Sequence, residues 1–430
     1  MAEKGEAHER RWAFMNSDLL AGELGEGHME TVEKSLGRAP KPPEQECTNR
    51  IERVRRFLSD AQFDALLVFG SAGSLPEPAR YLAGYVHVFP TASSFLLIPV
   101  AGDPLLLIDQ GWHLDEARSM SWIQDIRVFP NANRRWLYDE MRTVLHGALR
   151  ERGLERARIA IVESELPVVY WRALREAAPA AMFEEGKLIW ERIVATPSEY
   201  DQAMVRRTAQ IADLGHAAAV EAADAGVPEF EVCFAAYRAM ASLGAEFLHG
   251  SGFSTHVNIG SFSQAISNVR PFLFTSRRLE PGQMFWFDLT CSWAGYYNDC
   301  CRTIAIGEPT PERRRIFDIC LEMYETMLQA VRPGVPGGEI WTRGYEVAER
   351  ARLADKINHV YLGHTTGIAT SVRPVIARGE IVEIQPNSFV NIEPGIFLPG
   401  VGSASIESML WVGESETEVI NQFSVELHVK

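Results

Sequence analysis

The chain has 430 residues, 46% of them hydrophobic and 23% charged, a balance that fits a globular protein with room for two domains and excludes a low-complexity or disordered chain. A formal net charge of -15 and a pI near 5.3 repel a phosphate backbone, which excludes nucleic-acid binding. No apolar run reaches the roughly 18 residues of a membrane span, and MAEKGEAHERRW is charged where a signal peptide is apolar, so a cytoplasmic protein with no membrane partner is expected.

Residues 1–45 are polar, contain GELGEG and RAPKPPEQE, and show no sustained periodicity; they read as an N-terminal extension. Residues 46–190 alternate in pattern. IERVRRFLSDAQ is an amphipathic helix, while DALLVFG, SFLLIPV, LLLID and RIAIVES are short apolar strands, which predicts a small α/β domain. A second domain is expected over 195–430. In ATPSEYDQ, Thr196 is read as a cap, Pro197 as the first helical residue and Glu199 as the close of a capping box. The long helix so opened runs to Gly226, a second covers about 228–244, and strands dominate 251–306. The order then recurs: Thr310 and Pro311 open a helix, another covers about 337–353, and strands follow from about 380. Two helices then strands, twice, predicts an α/β (α+β) unit with pseudo-twofold symmetry. The six cysteines (Cys47, Cys233, Cys291, Cys300, Cys301, Cys320) form no CxxC pair and are expected to be reduced core fillers.

In QMFWFDLTCSWAGYYNDCCRT, Asp288 ends an apolar strand and Asp299 follows eleven residues on, after a reversal at Ala294 and Gly295. A carboxylate in such apolar surroundings needs a partner or a cation. His364 in YLGHTTG, Glu393 in NIEPGIFLPG and Glu407 in ASIESMLWV complete an oxygen-rich set suited to divalent ions. Their order and spacing, with GYYNDCCRTIAIGEP and LEPGQMFWFD, resemble the pita-bread metallohydrolases, the family of methionine aminopeptidase, aminopeptidase P, prolidase and creatinase. RYLAGY, GDP and LLLID resemble the N-terminal domain of the prolidase and creatinase branch.

The resemblance implies a creatinase-like N-terminal α/β domain, a C-terminal pita-bread domain and a homodimer. It also implies two divalent ions, Mn, Fe, Co or Zn: Asp288 on one, Asp299 and Glu407 bridging, His364 and Glu393 completing the other. A hydroxide held between the ions would cleave a C–N bond of a short peptide or small molecule, with Glu393 relaying a proton. Two histidines usual in the family's peptidases are replaced by Pro271 and Ser371, so His249, His256 and His359 are candidate substitutes. Ser405 and Ser408 replace an arginine and an acid beside the last ligand. Thr290 and Cys291 follow Asp288 closely enough to line the pocket, while Arg270 and Arg373 are candidate clamps for a substrate carboxylate, with Ser371 also at the substrate. These departures leave room for a hydrolase or lyase acting on a small metabolite, as in ectoine hydrolase or dimethylsulfoniopropionate lyase, and for a metal-stabilised binding module without turnover.

Overall fold

The computed structural model describes residues 41–71, 77–87, 92–109, 111–130, 137–162, 166–246, 256–260 (backbone only), 276–357 and 361–430. The amphipathic helix is present as α1 (Glu44–Asp60). Six strands follow: β1 (Ala65–Ser71), β2 (Ser93–Pro99), β3 (Leu105–Ile108), β4 (Asp125–Val128), β5 (Arg158–Val162) and β6 (Met182–Glu185), in sheet order β4-β3-β2-β1-β5-β6. Between and after them lie α2 (Glu77–Ala83), α3 (Leu114–Met120), α4 (Tyr138–Glu151), α5 (Val168–Ala177) and α6 (Lys187–Val194). The unbroken apolar reading of ALLVF has a direct cause. Leu66 and Val68 enter one core with Val54 and Leu58 of α1, while Ala65, Leu67 and Phe69 enter another with Leu145 and Leu174, so both faces of β1 are buried. Strands β4 and β6 escape an apolar reading because they lie at the edges and are largely part-exposed or exposed.

The second half repeats its order as expected. Helices α7 (Glu199–Ala222) and α8 (Glu229–Ser242) precede β7 (His256–Gly260), β8 (Met284–Trp293) and β9 (Tyr296–Ala305). Helices α9 (Pro311–Ala330) and α10 (Gly337–Arg350) then precede β10 (Tyr361–Thr365), β11 (Val372–Ala377), β12 (Ser388–Ile392), β13 (Gly395–Leu398), β14 (Gly402–Ser405), β15 (Ser408–Val412), β16 (Thr417–Val419) and β17 (His428–Val429). One sheet has the order β17-β9-β8-β7 and another β11-β10-β12-β15-β16.

Two details correct the sequence reading. The cap of α7 is Ser198, whose side chain accepts from Asp201 N while the Asp201 carboxylate accepts from Ser198 N. Thr196 instead donates its hydroxyl to Arg192 O at the end of α6, so the capping box closes two residues later than expected. Strands also begin before residue 380, since β10 and β11 lie at 361–377. Pro374 disguises the second of these, and the ladder tolerates it because β11 is an edge strand.

A buried polar network ties the two halves of residues 43–430 together. Arg50 of α1 reaches Asp201 of α7 at 3.1 Å, and Tyr81 of α2 and Tyr296 of β9 each donate a hydroxyl to the same carboxylate at 2.7 Å. Burial pushes the Asp201 carboxyl up, but Arg50 and Arg53 outweigh that and hold it below the usual carboxylate range.

Candidate metal centre

Alternation along one hairpin builds half of the site. Phe285, Phe287, Leu289 and Cys291 of β8 belong to the apolar core, which leaves Asp288 and Thr290 on the other face. The two-residue turn at Ala294 and Gly295, with φ of 56° and 80°, returns the chain so that Thr290 pairs with Asp299 and Asp288 with Cys301. Thr290 Oγ1 donates to Asp299 Oδ1 at 2.8 Å. Cys291 corrects the expectation that it lines the pocket: its position in the strand turns it into the core, fully buried.

The other half comes from the later sheet. His364 on β10 pairs with Asn391 on β12, and Glu393 follows that strand by one residue. Glu407 joins the halves, since its N–H donates to Cys301 O at 3.0 Å and its carbonyl accepts from Cys301 N at 3.2 Å. His364 Nε2 lies 3.9 Å from Asp299 Oδ2 and 3.7 Å from Glu393 Oε1. One ligand atom from each of Asp299, His364 and Glu407 lies within 4.8 Å of the others. His364 Nδ1–H donates to Thr365 O at 3.3 Å, the tautomer that turns the Nε2 lone pair to the carboxylates.

The electrostatics fit a cation. Burial pushes the Asp299 carboxyl up to about 6, against the pull of Thr290. Burial and the charges of Asp299 and Asp288 push Glu393 well above the usual range, and the same forces, with Glu393 added, raise Glu407 against a hydrogen bond from Asn391. Glu393 Oε1 is buried and accepts no hydrogen bond among the described residues. Four carboxylates that repel one another around one imidazole form a hard donor set for divalent metal.

Supporting residues escaped the sequence reading. Asn391 Nδ2 donates to Glu407 Oε1, and its place two residues before Glu393 in NIEPG was a usable signal. Arg302, fully buried, donates to the carbonyls of Glu407, Cys301, Phe423 and Ser424, which fixes the backbone under Glu407. Ser405 donates to Pro394 O at 3.3 Å. Tyr361 stacks edge-on against His364 with ring centroids 6.0 Å apart. Arg373 is corrected as a carboxylate clamp, because its guanidinium is about half exposed and already bidentate on Glu380 at 2.7 and 3.0 Å. Ser371 is exposed in the loop after β10. The backbone of His256 opens β7 opposite Thr290. His249, His359, Arg270 and Pro271 lie outside the described residues.

The chain is similar to known proteins over most of its length. Residues 203–414 match the metallopeptidase family M24, and residues 50–193 match the creatinase/prolidase N-terminal domain. An Xaa-Pro dipeptidase of Pyrococcus horikoshii is 24% identical over 378 residues, covering 88% of this chain and 98% of that protein. The solved prolidase of Pyrococcus horikoshii superposes with a TM-score of 0.72 at 21% identity, covering 88% of this chain and 99% of that one. An X-Pro aminopeptidase of Thermotoga maritima gives 0.75 at 21% identity, over 88% and 99%.

Proposed function

Because the chain belongs to metallopeptidase family M24, carries a creatinase-like N-terminal domain ahead of its pita-bread domain, and is a metallopeptidase-like hydrolase, we propose that it cleaves the peptide bond of short Xaa-Pro substrates at a centre of two divalent ions. The observation that carries this reading is the convergence of His364 with carboxylates whose burial and mutual repulsion raise their proton affinity. Asp288 would hold one ion, Asp299 and Glu407 would bridge, and His364 with Glu393 would complete the second position. Mn, Fe, Co and Zn all suit these donors. When bound, the ions supply an activated water and polarise the substrate carbonyl.

The remaining work falls to the chain. Thr290 donates to one oxygen of Asp299 and Asn391 to one oxygen of Glu407, which orients the two carboxylates that would bridge. Glu393, whose buried Oε1 lies 3.7 Å from His364 Nε2, would accept the proton of the attacking water and pass it toward the departing amine. His256, opposite Thr290 in the sheet, is a second candidate for that transfer. The protein acts in the cytoplasm and as a homodimer; among the described residues no helix is long and apolar enough to cross a membrane.

Elemental analysis is expected to find two transition-metal ions per chain, and Asp299→Ala to abolish both metal binding and Xaa-Pro hydrolysis. Full activity without metal would overturn the reading. Light scattering at a monomer mass would overturn the dimer. The exposed Ser371 in place of a gripping histidine favours a second reading, a small amide-bearing metabolite as substrate. Metal-dependent turnover of such a compound with no dipeptide turnover would select it.

A further inference from the structure

Tyr361 opens β10 three residues before His364, a spacing that puts two side chains on opposite faces of a regular strand. The pairing of β10 with β11 shifts register between these two residues. Gly363 makes the irregularity possible: its φ is 150°, and a Cβ there would lie 2.1 Å from Asn391 O. The phenol ring thereby meets the His364 imidazole edge-on, with planes 72° apart. Tyr361 is 38% exposed, whereas the side chains of Asp299, Glu393 and His364 are 20%, 12% and 5% exposed. The phenol therefore stands on the solvent side of the cluster, where a substrate arrives. Like any phenol near neutral pH, its hydroxyl carries its proton and can donate a hydrogen bond.

We propose that the Tyr361 hydroxyl donates a hydrogen bond to the scissile carbonyl oxygen as that oxygen gains negative charge in the tetrahedral state. The proposal rests on the hydrolase reading above and gives this chain a donor where Pro271 and Ser371 replace the family's histidines. A donor packed against His364 strengthens as charge develops on the substrate oxygen, so it acts on the transition state more than on the bound substrate.

The test uses the full-length Mn(II)-loaded protein and Tyr361→Phe, which keeps the ring against His364 and removes only the oxygen. The kcat for an Xaa-Pro dipeptide is expected to fall about 100-fold while KM stays within about threefold. Affinity for a phosphinate analogue of the tetrahedral centre is expected to fall roughly 30-fold, in line with the loss of one donor to an oxyanion. Mn(II) stoichiometry and affinity for the product proline should be unchanged. Equal phosphinate affinity in the two proteins overturns the proposal, and so does a loss of Mn(II) in the variant, which would make the tyrosine a support for the ligands. A wild-type protein that loads Mn(II) but neither binds the phosphinate nor cleaves the dipeptide overturns the Xaa-Pro reading and this proposal with it.

Discussion

At the scale of single residues, the proposed centre depends as much on the groups that would hold its ligands as on the ligands. Asn391 reaches Glu407 Oε1 from the strand beside His364. Asn391→Ala is expected to weaken metal affinity roughly 10- to 100-fold without unfolding the protein, the usual loss when a ligand's orienting partner goes; titration with Mn(II) would measure it, and unchanged affinity would count against the role. The raised carboxyls make a second prediction. A group whose proton affinity is higher folded than unfolded stabilises the metal-free protein below its unfolded pKa and loses that contribution as pH rises through its folded pKa, about 6 for Asp299. Metal favours the ionised carboxylates, so the melting-temperature gap between Mn(II)-loaded and chelator-treated protein should widen from pH 5.5 to 7.5. A constant gap would sink this account. The five proposed ligands could be singled out in sequence because their spacing is a pattern, whereas Arg302 could not: nothing in DCCRT says that a guanidinium will be fully buried against four carbonyls.

At the scale of elements, β10 is the demanding one. Gly363→Ala would bring a methyl group onto the Asn391 carbonyl and force a φ that L residues rarely adopt. A loss of about 3 kcal/mol in urea unfolding is expected, together with weakened metal binding, because the bulge sets the direction of His364. Full stability would show that the strand relaxes. Long helices and fully buried strands were readable because period and apolar content agree over many residues, as in α9, where Thr310 accepts from Arg313 N and Pro311 takes the first position. The pairing that aims Tyr361 at His364 was hidden, since three-residue spacing argues against a shared face until the register shift is known. The cap of α7 was misread for a related reason: Thr196-Pro-Ser-Glu reads as the opening of one box, whereas the box that forms pairs Ser198 with Asp201, which also packs against Arg50.

At the scale of the molecule, the Asp201 network makes one cooperative body of segments far apart in sequence. Arg50→Met would leave the Asp201 carboxylate buried with a weakened counter-charge, and a loss of about 3–5 kcal/mol is expected by denaturant unfolding, with the N-terminal and catalytic regions melting in one transition. Two separate transitions would show that the network does not couple them. The far end of the chain has an analogous part. Strand β17 pairs with β9, Lys430 O accepts from Gly307 N, and the Phe423 and Ser424 carbonyls hold Arg302 beneath Glu407. Residues 423–430 are thus a foundation stone of the proposed centre, and cutting them away would tilt the floor on which Glu407 stands.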